Sequence, residues 1–151
     1  GFLNLSGNAK KQVLFFSGNL SWVELELNTY KILEELAKKK VNIKILTKID
    51  ITSKNVAEKI SSINQRFGWD AIEIRHCTQP LRAMIIDENI LSLKEVFGPQ
   101  YYRKQELAKK TFIFYLIKDS EWIYWMQKVF WHLWERSIRS EDRISVIKEV
   151  Y

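Results

Sequence analysis

The sequence predicts an α/β fold in which a mixed, mostly parallel sheet is flanked by helices on both faces. Short apolar segments typical of strands alternate along the chain with segments whose apolar residues recur every three or four positions. This alternation indicates right-handed crossovers between parallel strands. The exception is residues 81–96, where only the turn-forming Asp87, Glu88 and Asn89 separate two apolar runs, so we expect a hairpin there.

Length, charge and cysteine content restrict the function. The 151 residues suit one domain covering residues 1–151, and a net charge of +6 favours anionic partners without forming a basic arm. The lone Cys77 lies in no CxxC or Cys/His cluster, so we expect a small buried residue, no disulfide, no metal and no cofactor. The apolar runs are too short for a membrane span or a signal peptide, which predicts a cytoplasmic protein with no membrane partner.

The first strand and helix are predicted from one capping signal. After a polar lead-in at residues 1–12, residues 13–16 (VLFF) form a strand. Ser21 and Glu24 have the spacing of a capping box, which predicts a helix that ends at the basic residues 38–40. The predicted buried stripe of this helix is Val23, Leu27, Tyr30, Leu33 and Ala37.

A second strand and helix follow directly. Residues 41–49 (VNIKILTKI) alternate in polarity and predict a strand. Thr52 or Ser53 begins the next helix, and Gly68 ends it. The predicted buried stripe of the second helix is Val56, Ile60, Ile63 and Phe67.

Three short strands are expected next to one another in the middle of the chain, at residues 72–74, 83–86 and 90–93. Further on, residues 97–110 predict a loop with a short basic helix, and residues 111–117 predict another strand. Asp119 then caps a long helix, and Ser140 caps a last helix that runs to Tyr151.

The long helix is apolar on more than one face. Its predicted core stripe is Trp122, Trp125, Met126, Val129, Phe130 and Leu133. Ile123, Tyr124 and Trp131 lie outside that stripe, and a second apolar face predicts a subunit interface, with packing in the core as the alternative.

The candidate site surrounds the strand at residues 83–86. Arg82 and Asp87 bracket this apolar run, and buried charges are costly unless they are paired, so the two predict a ligand contact, a structural ion pair or strand-end charges that face solvent. Arg75, His76 and Gln79 come just before the strand; they are candidates for the mouth of a pocket, against the ordinary interpretation of a solvated loop.

The spacing from Pro80 to Asp87 resembles the His-x-Lys-x4-Asp signature of the phospholipase D superfamily. In that superfamily the His attacks phosphorus, the Lys binds phosphate oxygens and the Asp sits behind the His. Here Pro80 takes the place of the His and Arg82 that of the Lys, Asp87 is retained, and Lys94 with Glu95 replace an expected Gly-Ser. The resemblance therefore implies a degenerate site that is not enzymatic.

Three longer stretches are similar to the phospholipase D-like regulatory domains of archaeal TrmB-like transcriptional regulators: VLFFSGNLSW, QPLRAMIIDENILSLKEV and FYLIKDSEWIYWMQKVFWHLWERSI. The resemblance implies a phospholipase D-like fold, a homodimer and a small-molecule effector, anionic or sugar-like. It also implies DNA binding through an N-terminal winged-helix domain. Because the chain starts Gly-Phe-Leu without an initiator Met, we expect a fragment that lacks that domain.

The sequence thus predicts a non-catalytic effector-sensing and dimerisation domain of a transcriptional regulator. A purely structural dimerisation module and a phosphodiesterase or nuclease are the alternatives. A direct nucleic-acid binder is a further one, since Arg103, Lys104, Lys109 and Lys110 could contact a phosphate backbone instead of forming a solvated face.

Overall fold

Seven strands form a single sheet in the computed structural model, which describes residues 2–25, 28–97 and 111–150. In chain order the strands are β1 (Gln12–Phe16), β2 (Asn42–Thr47), β3 (Ile72–His76), β4 (Ala83–Ile86), β5 (Ile90–Phe97), β6 (Thr111–Ile117) and β7 (Ile138–Arg139). Their order across the sheet is β6-β5-β4-β1-β2-β3-β7.

Most strand pairs are antiparallel, so the expectation of a mostly parallel sheet is wrong. Only β1–β2 and β2–β3 are parallel, whereas β1–β4, β4–β5, β5–β6 and β3–β7 are antiparallel. The reason is the link after β3. Residues 77–82 contain no helix, so β4 starts at the edge of the sheet where β3 ends and must run in the opposite direction.

The expectation of three adjacent strands in the middle of the chain is also only partly right. Strands β4 and β5 form the predicted hairpin, with Ala83 opposite Leu93. Strand β3 instead lies on the far side of β1 and β2, because it pairs in parallel with β2. The chain therefore crosses over β2 and β1 between β3 and β4.

Helices cover both faces of the sheet, as predicted. One face carries a 3₁₀ helix (Phe2–Asn8), α1 (Ser21–Leu25), α2 (Thr29–Lys38), α3 (Lys54–Ser61), α4 (Ile63–Phe67) and α6 (Ser140–Val150). The other face carries α5 (Ser120–Arg136). Alternate residues of each strand enter the two cores: Val13 and Phe15 of β1 pack under α1 and α2, and Leu14 and Phe16 pack under α5.

Both long helices predicted in the first half are interrupted. Asn28, with φ of 65°, separates α1 from α2, and Ser62 separates α3 from α4. A left-handed residue stops the helical hydrogen-bond pattern, and Asn adopts that conformation more easily than most residues. The Asn19 side chain accepts a hydrogen bond from the Ser21 N–H (2.9 Å) at the start of α1. Gly68, with φ of 74°, ends α4 as predicted.

The start of α5 is confirmed, but its buried stripe differs from the predicted one. Asp119 Oδ1 accepts hydrogen bonds from the N–H groups of Glu121 (2.9 Å) and Trp122 (3.2 Å). The buried residues of α5 are Ile123, Met126, Phe130 and Trp134, whereas Trp122, Tyr124 and Trp125 are 55%, 61% and 63% exposed. The four buried residues are three or four positions apart and face the sheet, whereas Trp122 and Trp125 lie outside this stripe.

Two further predictions concern the end of the chain and the segment before β6. Ser140 is buried at the first position of α6, and the short strand β7 just before it has no signal in the sequence. The predicted loop and short helix at residues 97–110 lie, apart from Phe97, outside the described residues. Within the described ranges, no helix is both long enough and apolar enough to cross a membrane.

Candidate functional site

The strand register places four side chains in one row across β1, β4, β5 and β6. Continuing the β1–β4 pairing by one residue puts Ser17 opposite Arg82. The Arg82 carbonyl accepts a hydrogen bond from the Lys94 N–H (2.8 Å), and Lys94 pairs in turn with Phe114. Because residues in register share a face of the sheet, all four side chains are on the side covered by α1 to α4.

These four side chains line a cavity of about 490 Å³. Its apolar lining comes from both ends of the row: Phe15 and Trp22 lie near β1, and Val96 and Phe112 lie at β5 and β6. This volume falls within the range of sites that bind small organic ligands, roughly 300–1,000 Å³. The row of Ser17, Arg82, Lys94 and Phe114 therefore belongs to a cavity of ligand size.

Hydrogen bonds and ring stacking fix the β1 side of the cavity. The Trp22 indole N–H donates to Ser17 Oγ (2.9 Å), and its ring stacks on Phe15 with centroids 5.2 Å apart and planes inclined by 13°. Ser17 Oγ also lies 3.1 Å from Thr47 Oγ1 and donates to the carbonyl of Asn19 (2.6 Å). This side of the cavity is consequently formed before any ligand arrives.

The Arg82 guanidinium rests on the backbone of Gly18. A Cβ atom at position 18 would lie 3.2 Å from Arg82 Nη2 and 3.3 Å from Nε, closer than ordinary van der Waals contact. Arg82 is exposed, and none of the carboxylates in residues 2–25, 28–97 and 111–150 forms an ion pair with it. Glycine at position 18 is thus the residue that leaves room for the guanidinium.

Two cations meet in the cavity. Arg82 and Lys94 are directly opposite each other on neighbouring antiparallel strands, where Cβ atoms are typically about 5 Å apart and like charges destabilise the pair. The Lys94 ammonium also lies 4.6 Å from the centre of the Phe112 ring, so cation and aromatic ring are in contact. The centre of the row is therefore suited to an anion.

Asp87 lies at the opposite end of β4 and makes no pair with Arg82, so the predicted ion pair is wrong. The two residues are five positions apart along extended chain, which separates them by roughly 16 Å. The Asp87 carboxylate instead accepts hydrogen bonds from the N–H groups of Lys10 (3.1 Å), Lys11 (2.7 Å) and Gln12 (3.1 Å). Its φ is 52°, in the left-handed region.

The electrostatics of Asp87 agree with this anchoring role. Burial on its own would raise the pKa of the Asp87 carboxyl, but the N–H groups of Gln12, Lys11 and Lys10 and the charge of Lys11 outweigh burial and hold the pKa below its usual range. The ionised carboxylate thus joins the segment before β1 to the β4–β5 turn.

Arg75 lies outside the cavity, on the side of the sheet covered by α5. Its Nη1 donates to the carbonyl of Trp134 (2.9 Å), and its guanidinium carbon lies 4.6 Å from the centre of the Trp134 ring. Arg75 therefore ties β3 to the C-terminal end of α5.

His76 is also separate from the cavity. Its Nδ1 accepts a hydrogen bond from the Ile49 N–H (2.9 Å), which requires the neutral ring. Burial, followed by the charges of Arg143 and Lys48, lowers the pKa of His76, and Asp50 opposes this only in part. His76 therefore connects β3 to the loop after β2.

Gln79 is the only one of the three residues predicted at the pocket mouth that supports the cavity. Its side-chain amide donates to the carbonyls of Ser17 (3.1 Å) and Leu81 (2.8 Å), and its oxygen accepts from the Leu81 N–H (2.7 Å). Gln79 thereby holds the loop before Arg82 against the end of β1.

Sequence reasoning missed the partners that complete the cavity, namely Gly18, Trp22, Lys94 and Phe114. The sequence does indicate the position of one of them, Lys94. Once the Asp87–Asn89 turn is assigned, the hairpin register places Lys94 opposite Arg82. Gly18 and Phe114 depend on pairings with distant parts of the chain, which no local pattern indicates.

Comparison with known proteins identifies the fold. No family model matches the chain, and no curated protein matches it. Among solved structures, the archaeal chromatin protein TrmBL2, which shows a novel mode of DNA binding, is similar with a TM-score of 0.62 and 19% identity. Nuc from Salmonella typhimurium, a phospholipase D family member, is similar with a TM-score of 0.59 and 12% identity.

The two structural matches cover the same fraction of this chain but different fractions of the two known proteins. The match to TrmBL2 covers 91% of this chain and 48% of that protein, so the chain spans about half its length. The match to Nuc covers 91% of this chain and 87% of Nuc. The phospholipase D-like fold expected from the sequence is confirmed.

Proposed function

We propose that this chain is a non-catalytic, effector-sensing and dimerisation domain of a DNA-binding transcriptional regulator. The observation that carries the proposal is the cavity of about 490 Å³ in which Arg82 and Lys94 face aromatic side chains. A ligand-sized, mostly apolar cavity with a few convergent polar groups is the usual form of a small-molecule site. Arg82 lines this cavity, and by the sequence resemblance it takes the place of the phosphate-binding lysine of the superfamily signature.

The residues around Arg82 favour binding over hydrolysis. Pro80 occupies the place of the nucleophilic histidine in the signature and has no side-chain nitrogen to attack phosphorus. His76 uses Nδ1 to accept the Ile49 N–H (2.9 Å), so this nitrogen is engaged in the fold. A phosphodiester such as bis(4-nitrophenyl) phosphate should therefore not be hydrolysed. Hydrolysis that disappears in Arg82→Gln would contradict a non-catalytic role.

The likeness to TrmBL2 supports the regulatory part of the proposal. TrmBL2 is a chromatin protein that binds DNA, and this chain corresponds to about half of it. We assign DNA contact to a winged-helix domain N-terminal to this chain, in a cytoplasmic protein. Effector binding to this chain would then change the DNA binding of the winged-helix domain.

The cavity offers a way to couple the effector to assembly. Its lining joins the end of β1 to β6, which is the outer strand of the sheet among the described residues. An effector that contacts both sides holds β6 in one position relative to β1. For this to change DNA binding, the effector must bind one dimer arrangement more tightly than the other.

Thermal unfolding against a ligand panel tests the proposal. Sugars, nucleotides, phosphorylated metabolites and carboxylates are compared, because a ligand at 100 times its dissociation constant adds roughly 2.7 kcal/mol to the free energy of unfolding. One chemical class should raise the melting temperature of the wild type and of Arg136→Gln, an exposed arginine on α5, but not of Arg82→Gln. No rise with any class would contradict effector sensing.

A purely structural dimerisation module is the second candidate, and strand β6 favours it. Phe112, Ile113, Phe114, Tyr115 and Leu116 are 39–55% exposed on the outer strand, whereas soluble proteins usually protect such edges with charge. Light scattering of Leu116→Lys should then report monomers where the wild type is a dimer. A dimer that forms through β6, together with a melting temperature that no ligand changes, would favour this candidate.

A further inference from the structure

The described lining of the cavity combines cations with aromatic rings and contains no acidic side chain. Arg82 and Lys94 stand side by side, with Trp22 stacked on Phe15 toward β1 and with Phe112 and Phe114 toward β6. A ligand that satisfies both features has a negative charge and a flat apolar body. This combination is specific enough to select a chemical class.

Resting on the effector-binding role proposed above, we infer that the cavity binds a small anion with a planar aromatic body. The anionic group lies between Arg82 and Lys94, where it meets two cations that the strand register places opposite each other. The ring lies among Phe112, Phe114 and Trp22, whose flat faces offer stacking and apolar contact. An aromatic carboxylate and a nucleoside monophosphate both have this chemistry.

The same lining disfavours a sugar. Hydroxyl-rich ligands need several acceptors, and no carboxylate among the described lining residues provides them. Two of the polar atoms near β1 are already used: Ser17 Oγ bonds Trp22, Thr47 and Asn19, and the Asn19 side-chain oxygen accepts the Ser21 N–H.

Gly18 gives the inference a geometric prediction beyond charge. The guanidinium of Arg82 packs directly on this glycine, with 3.2 Å between Nη2 and the position of a Cβ atom. Gly18→Ala keeps every charge but moves the guanidinium by a few tenths of an ångström. It should weaken an aromatic anion held by Arg82 about threefold and leave a ligand bound elsewhere unaffected.

Isothermal titration calorimetry of the full chain, with naphthalene-2-carboxylate and adenosine 5′-monophosphate as probes, tests the ligand class. At least one of them should bind the wild type and Arg136→Gln alike and bind Arg82→Gln about tenfold or more weakly. Naphthalene-2-carboxamide keeps the ring without the charge, and ribose 5-phosphate keeps the charge without the ring. Both should bind at least tenfold more weakly than the successful probe. Phe114→Ser should weaken that probe and leave ribose 5-phosphate unchanged.

The outcomes separate this inference from the effector role. If a sugar, or ribose 5-phosphate alone, binds and its binding depends on Arg82, the ligand class inferred here is wrong. The effector role then remains. Aromatic-anion binding that is equal in Arg82→Gln and Arg136→Gln overturns the assigned position of the ligand. Binding of a single-stranded oligonucleotide in place of both probes overturns the small-molecule class. If neither probe binds while another class of the thermal-unfolding panel raises the melting temperature, this inference fails and the effector role stands; if no class raises it either, both fail.

Discussion

The two ends of strand β4 carry opposite charges that are used in different ways. Asp87 accepts three backbone N–H groups from Lys10, Lys11 and Gln12 and so holds the segment before β1 in place. Arg82 is exposed over Gly18 and faces a cavity, with no ion pair among the described residues. A charged side chain that bonds the protein's own backbone contributes to stability, whereas a charged side chain that faces a cavity is available to a ligand.

The largest effect on stability is expected at Asp87. Asp87→Ala leaves three N–H groups without their acceptor and places alanine at a φ of 52°, so the free energy of unfolding should fall by about 2 kcal/mol. Asp87→Asn keeps an acceptor and tolerates this φ, and it should lose about half as much. Urea denaturation monitored by circular dichroism measures both. Equal stability of wild type and Asp87→Ala would refute the anchoring role.

Arg75 should give the next largest effect. Arg75→Gln removes the hydrogen bond to the Trp134 carbonyl and the contact with its ring, and about 1 kcal/mol of unfolding free energy should be lost. The same denaturation series measures this loss, with Arg136→Gln as the matched control on α5. If ligand binding disappears in Arg75→Gln while stability is unchanged, Arg75 belongs to the ligand site after all.

His76 should make stability depend on pH. Its pKa is lowered in the folded state, so between that pKa and the unfolded value of about 6.5 the unfolded chain binds more protons. Stability is therefore retained above about pH 7 and lost as the pH falls. Melting curves from pH 7.5 to 5 should show a smaller decrease for His76→Asn than for the wild type.

The smallest effect on stability is expected at Arg82. Arg82→Gln keeps most of the aliphatic stem and relieves the repulsion with Lys94, so its unfolding free energy should stay within about 0.5 kcal/mol of the wild type. Denaturation at low and high salt checks this, because the repulsion matters most at low salt. A loss as large as that of Asp87→Ala would mean that Arg82 serves the fold.

Local signals in the sequence predicted the elements better than their arrangement. The turn after β4, the Asp119 cap and the glycine after α4 were predicted correctly, because each depends on residues a few positions apart. The position of β3 beyond β2 and the pairing of β4 with β1 depend on contacts between distant segments. That is why the sheet was expected to be mostly parallel.

The candidate site shows the same limit. Arg82 could be chosen from its place beside an apolar strand, but the partners of Asp87 lie 75 to 77 positions earlier in the chain. Arg75 and His76 are near Arg82 in sequence, yet alternation along β3 and the loop after β2 direct them to other contacts. Closeness in sequence therefore grouped residues that the sheet separates.

The most direct test of the difference between the two ends of β4 is a ¹H–¹⁵N correlation spectrum of the chain during titration with naphthalene-2-carboxylate. The amide signals of Gly18, Asn19, Lys94 and Phe114 should move together and saturate, while those of Lys10, Lys11 and Gln12 remain in place. Shifts concentrated at Lys10 to Gln12, with the Gly18 and Lys94 signals unmoved, would contradict the account, because the ligand would then bind at the Asp87 end.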